Sequence, residues 1–242
     1  MSKVLVKSAF TVGLLILLMS VPVYGDSVNK SIKIDAGSES DGASSVNGSI
    51  TVGDGAVVTG SLSTVNGKVR VGDDAQIEDA STVNGSITVG DNVTADELET
   101  VNGSISVGEG GQIGGEIGAV NGSVTLEKGT VAADDVGNVN GSIILEGSEV
   151  GGNIETVSGN VNLSDASTVK GNIKVEKPSN WWPFGNKDQK MPKIVIGPGS
   201  TVGGSIIVER EVKLFISESA EVGGVEGVMS MDDAVRFEGE HP

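Results

Sequence analysis

The residues with chemical potential in this chain come in columns. Asn-Gly pairs recur at Asn47, Asn66, Asn84, Asn102, Asn121 and Asn140, and Ser follows the Gly in all but the second. N-G-S fits the N-glycosylation acceptor pattern, but stacked amides also hydrogen-bond to one another as asparagine ladders do in layered β structures. An acidic set, Asp54, Asp73, Asp91, Glu109 and Asp165, recurs at related spacing. Calcium needs six to eight oxygen ligands, and stacked carboxylates supply oxygens. The G-G-x-G-x-D nonapeptide of calcium-binding β-rolls is missing, however, so a solvated acidic ridge is favoured. Nucleophilic and general-base catalysis find little material. There is one His, His241 beside the C-terminus, and no Cys. A G-x-x-x-x-G-K-[ST] phosphate loop is absent as well. No catalytic residue, cofactor or metal site is assigned, and the chain reads as a non-enzyme.

The spacing identifies what must carry these columns. The six Asn-Gly copies step by 19, 18, 18, 19 and 19 residues, and Val157-Ser158-Gly159 follows after 18 more. A fixed period of this length is the mark of a solenoid. Within each period apolar residues return about every six positions, as in Val65, Val71, Ile77, Val83 and Val89. Three sixes predict an all-β, single-stranded, three-sided parallel β-helix of 18–19 residues per coil. Alternation along Val83–Val89 predicts that Val83, Gly85, Ile87 and Val89 face the bore while Asn84, Ser86 and Thr88 face out. The frequent glycines oppose helix, at about 1 kcal/mol each relative to Ala. Nine or ten coils at the strand spacing of roughly 4.8 Å give a rod on the order of 45 Å long. Its thin bore suits Val, Ile, Leu, Ala and Gly, consistent with the low aromatic content of 3%.

Residues 1–25 have the plan of a secretory signal. Lys3 and Lys7 precede an apolar run from Ala9 to Met19, and Val23-Tyr24-Gly25 suits cleavage before Asp26. The apolar run falls short of the roughly 20 residues of a spanning helix, so no transmembrane span is expected after cleavage. Losing the two lysines moves the formal charge from −17 to −19. This excess of acid opposes binding to nucleic acid or anionic lipid. Without cysteine the exported chain has no disulfide framework. The expected organisation is signal 1–25, an N-terminal lead-in or cap 26–45, coils 46–175, an insertion 176–193, and C-terminal coils with a cap 194–242.

That insertion, E-K-P-S-N-W-W-P-F-G-N-K-D-Q-K-M-P-K, contains both tryptophans of the protein. The coil register resumes at Ile194, so the segment must loop out at a corner. Trp181, Trp182 and Phe184 are the candidate partner-binding residues, because aromatics are favoured anchors in recognition. The alternative is that they fold back over an outer sheet face.

The string I-G-P-G-S-T-V-G-G-S-I at Ile196–Ile206, with its hexad spacing, resembles the bactofilin family of polymer-forming bacterial cytoskeletal proteins. That resemblance covers about fifty residues and implies a right-handed, three-sided β-helix that assembles end to end without nucleotide. The secretory signal, the Asn-Gly columns and the aromatic insertion depart from the family pattern. The V-N-G-S-I coils look equally like adhesin β-solenoids of bacterial envelopes. The expected function is a structural element of a bacterial envelope, in the periplasm or at the cell surface, associating with itself end to end. The alternative is an exported adhesin that binds an envelope protein or polysaccharide through the Trp181–Phe184 segment. Phe237 is the expected apolar plug of a C-terminal cap.

Overall fold

A computed structural model describes residues 28–178 and 191–242. The signal segment and Trp181, Trp182 and Phe184 lie outside the described residues. Among those described, the chain is all-β apart from one 3₁₀ turn at Met231–Asp233. Every strand pairing is parallel, and partners lie one coil apart, as in Ile87 beside Val69 and Ile105.

The rod has three faces. Face one stacks eleven strands, from β1 (Ile32–Ile34) to Val235–Phe237. Face two begins with β2 (Glu39–Ser40) and face three with β3 (Ala43–Ser45). The long strand Thr201–Val208 turns the corner between these two and joins them into one hydrogen-bonded sheet. The first coil therefore starts at Ile32, within the stretch read as a lead-in. It is in register with the second at Ile32–Ile50, Glu39–Val57 and Ala43–Leu62.

Each face is too short for more than two inward side chains. Ile87 and Val89 are buried on face one, Val93 and Ala95 on face two, Leu98 and Thr100 on face three. One continuous core runs from Ile34 to Ile216 and is built almost wholly of Val, Ile, Leu and Ala. β-Branched residues suit this half-buried pleated surface. Phe215 points outward, with Leu214 and Ile216 beside it taking the inward places.

The inward set differs from the sequence expectation at one corner. Thr82 is fully buried while Val83 is only half-buried, and Thr64 and Val65 behave alike. V-N-G-S is thus wholly a corner, and the wall begins at Ile87. Alternation holds along a strand but resets at a bend, so counting sixes through the corner selected the wrong residue.

Candidate functional site: one corner, two uses

The corner joining face three to face one carries the Asn-Gly column and, further along the rod, the insertion. In the N-terminal coils it is formed by V-N-G-S, and each letter has a partner 18 or 19 residues away. Asn66 Nδ2 donates to Asn47 Oδ1 at 2.9 Å, Asn84 to Asn66 at 2.9 Å and Asn102 to Asn84 at 2.9 Å. Asn121 and Asn140 continue the column at 3.1 and 3.0 Å. Downward it reaches Asn29, which accepts from Asn47 at 2.7 Å. The sequence reading missed that rung because Lys30 replaces the glycine there.

Glycine follows because nothing larger fits. A Cβ on Gly85 would overlap the carbonyl oxygen of Gly67, and one on Gly103 would overlap that of Gly85. The serine accepts a backbone N–H from the coil above, as when Ser142 N–H donates to Ser123 Oγ at 3.1 Å.

A fourth residue completes the corner. The buried threonines before the valine turn their hydroxyls to the glycine carbonyl below: Thr64 to Gly48 at 2.8 Å, Thr82 to Gly67 at 3.0 Å and Thr100 to Gly85 at 2.9 Å. Asn138 bonds Gly122 in the same way at 3.3 Å, while Ala119 occupies the position without a donor. These bonds remove most of the penalty of burying a hydroxyl. The signal was present in the sequence as the T of T-V-N-G, and the hexad count passed over it.

The acidic column has its own structural task at the next corner. Asp54, Asp73 and Asp91 accept the backbone N–H of Asp73, Asp91 and Glu109, at 3.2, 2.9 and 2.9 Å. Beside it runs a column of left-handed residues: Gly55, Asp74, Asn92, Gly110, Gly129 and Gly147, with φ between 55° and 74°. Gly, Asn and Asp are the residues that tolerate this conformation. Ala166, at φ 58°, breaks the rule. Among the described residues no group of three or more His, Cys, Asp or Glu is placed to hold a metal ion.

Further up, the same face-three-to-face-one corner changes use. Ser158 succeeds Asn140, and the corner of the next coil is the insertion. Face three ends at Ile173–Val175, the chain is described to Pro178 and again from Met191, and face one resumes at Lys193–Ile196. Coil pairing continues across the gap, with Leu163 opposite Ile196 and Val175 opposite Val208.

Both roots of the insertion are tied down. Glu176 is buried, and its Oε1 takes Lys174 Nζ at 2.8 Å; Glu209 stands 3.9 Å from the same ammonium. The hydrogen bond it donates to Glu176 holds the Lys174 ammonium above its ordinary pKa, and Glu155 and Glu209 add to this against the opposing effect of burial. Glu209 also accepts the Lys177 N–H at 3.2 Å. On the return side Lys193 N–H donates to Asn160 Oδ1 at 2.9 Å, and the Pro192 carbonyl accepts Lys213 N–H at 2.8 Å.

Beside this root the outside of face one turns apolar. Its outward column reads Thr88, Ser106, Thr125 in the middle coils, then Ile144, Asn162, Val195, Phe215 and Val235. Lys193 Nζ lies 4.9 Å from the centre of the Phe215 ring, a cation–π distance.

The rod ends differ. The outer edges of β1 and β2 have no strand partner among the described residues, and neither do those of the last two strands, Glu221–Gly227 and Val235–Phe237. At the C-terminus Met229, Met231 and Ala234 lean on the last of the core. Ser230 N–H and Oγ–H donate to Asp233 Oδ2 at 2.8 and 2.9 Å, which fixes the 3₁₀ turn and holds that carboxyl below its usual range. Phe237, the expected plug, is half-buried on the last strand of face one, so the methionines cover the bore instead. Among the described residues no helix is long and apolar enough to cross a membrane. No family model, curated protein or solved structure matches the chain.

Proposed function

We propose that the protein is a non-enzymatic scaffold of a bacterial envelope that associates with itself through its N-terminal coil. The observation supporting this is that the outer edges of β1 and β2 carry no strand partner among the described residues, while at the other end Met229, Met231 and Ala234 pack against the core beside the last strands. Unpaired parallel edges expose rows of N–H and C=O groups, which are templates for another chain. A second copy offers the same edges, and a twofold axis lets both be satisfied at once. The side-chain columns fit this reading, since they spend the polar groups of the corner on coil-to-coil bonds. The resemblance to polymer-forming β-helices points the same way.

Sedimentation velocity on the chain lacking residues 1–25 tests it. Ile32 N–H donates to Ser49 and the Ile34 carbonyl accepts from Gly53, so the Lys33 amide between them faces the outer edge. Lys33→Pro removes that donor and leaves the pairing with the second coil intact. The expected result is a dimer or larger species that Lys33→Pro shifts to monomer with its β-sheet circular dichroism unchanged. A wild-type monomer at high micromolar concentration overturns the proposal.

A second reading is favoured by Val195 and Phe215, neighbours in the outward column of face one beside the anchored insertion. Here the protein is an exported binding module that recognises an envelope protein or polysaccharide through Trp181, Trp182 and Phe184. Trp181→Ala/Trp182→Ala should then abolish capture of the partner from envelope fractions without changing the sedimentation of the free protein. Unchanged capture by the folded double variant counts against this reading.

A further inference from the structure

The six Asn-Gly pairs are also reactive bonds. In an Asn-Gly dipeptide the glycine backbone nitrogen can attack the asparagine Cγ. The Cγ–Nδ2 bond breaks, and ammonia leaves with the proton that the glycine amide gives up. Water then opens the five-membered imide at either carbonyl, yielding aspartate or isoaspartate. No oxidant or cofactor takes part, and a missing glycine side chain makes the attack easier than at other dipeptides. A chain that places this dipeptide at one corner of successive coils is therefore exposed to repeated spontaneous damage unless the fold prevents it.

We propose that the asparagine ladder is the protecting device, and that its last rung, Asn140, is the site where deamidation starts in the folded protein. Three observations describe the protection of the internal rungs. Each internal amide is held from both sides: Asn84 Nδ2 donates to Asn66 and Asn84 Oδ1 accepts from Asn102, both at 2.9 Å. The attacking nitrogen is also engaged where Gly103 N–H donates to the Asn121 carbonyl and Gly122 N–H to that of Asn140, at 3.2 and 2.9 Å. The glycine itself is wedged on the carbonyl of the glycine below, so the backbone has no room to swing toward Cγ.

Asn140 stands at the end of the amide column. It donates to Asn121 at 3.0 Å, but Ser158 follows it in the column, so no asparagine amide reaches its Oδ1 from above. Its neighbour Gly141 also leaves the pattern, with φ at 130°, whereas Gly85 and Gly103 stay outside the positive-φ region. Reaction at Asn140 replaces the ladder donor Nδ2 with an oxygen facing the Asn121 oxygen. The isoaspartyl form also lengthens the backbone by one atom, directly below the coil that leads to the insertion.

The test is to incubate the full chain at mildly alkaline pH, folded and in concentrated urea, and to quantify aspartyl and isoaspartyl peptides by mass spectrometry. In urea all six Asn-Gly pairs should convert at similar rates. In the folded protein Asn84 and Asn102 should slow by about tenfold or more, the factor given by each 1.4 kcal/mol of opening free energy, and Asn140 should convert fastest. Equal rates for Asn84 in the two conditions overturn the protection, and a folded-state rate at Asn140 no faster than at Asn84 overturns the assigned site. Asn84→Ala separates the ladder from the general stiffness of the backbone. It removes the acceptor of Asn102 and should raise the folded-state conversion of Asn102 several-fold, while Asn121, one rung further, changes less. An unchanged rate at Asn102 shows that the ladder does not protect and sinks the proposal.

Discussion

The same corner of the rod is built in two ways, and the contrast separates what a repeat needs from what it tolerates. Below Ser158 the corner is V-N-G-S, and side chains, glycines and hydroxyls all bond the coil beneath. Above it the insertion takes the corner, and the inward position before it changes character. Thr156 is opposite Val175, and Val175 is opposite Val208. Thr64, Thr82 and Thr100 bond a glycine carbonyl, and Thr156 donates to Asn138 Oδ1 at 2.7 Å. Above them the position is hydrocarbon, and the part-buried ion pair of Lys174 with Glu176 ties down the bend that follows.

Substitutions in the two parts of the rod should sharpen this contrast. The largest effect is expected for Gly85→Ala, whose methyl would overlap the Gly67 carbonyl. Moving a backbone oxygen within a stacked column should cost about 3 kcal/mol or more. Gly224→Ala, whose methyl meets only the Ser205 hydroxyl at 3.2 Å, should shift stability by less than about 0.5 kcal/mol. Urea unfolding of both variants measures the difference, and similar midpoints would contradict the steric account.

Next comes Lys174→Met, which leaves Glu176 buried without its charged donor and should cost about 2 kcal/mol at neutral pH. The pKa of Lys174 is raised on folding, so its contribution is complete below the ordinary lysine value of 10.5 and is lost as pH rises through the folded value. The gap between wild type and variant should therefore shrink in alkaline unfolding experiments and stay constant from neutral pH to about pH 9. A gap that closes on the acid side of neutrality instead would remove Lys174 from the account.

Thr82→Val should cost about 1–2 kcal/mol, because the buried Gly67 carbonyl loses a donor. Thermal unfolding measures this loss, and a neutral Thr82→Val would remove the hydroxyl from the account of the corner. The smallest effect is a gain. Ala166→Gly relieves a left-handed alanine and should stabilise by about 1 kcal/mol.

Much of this was legible before any coordinates. The 18–19-residue period, the three sides and the stacking of Asn66 on Asn47 follow from repetition alone. Parallel coils in constant register put equivalent residues in columns, whatever the rest of the chain does. The inward residue at the corner was not legible. Thr82 and Val83 are adjacent, and only the bend decides which one meets the bore. Nor was the cover of the C-terminal end, where Met229 and Met231 outrank the more conspicuous Phe237. The sequence by itself determined the lattice of this protein, because a lattice needs only a period. The tertiary structure decided the contents of each site in it. The reason that Gly85 must be glycine and that Thr82 can be buried lies in the Gly67 carbonyl of the neighbouring coil.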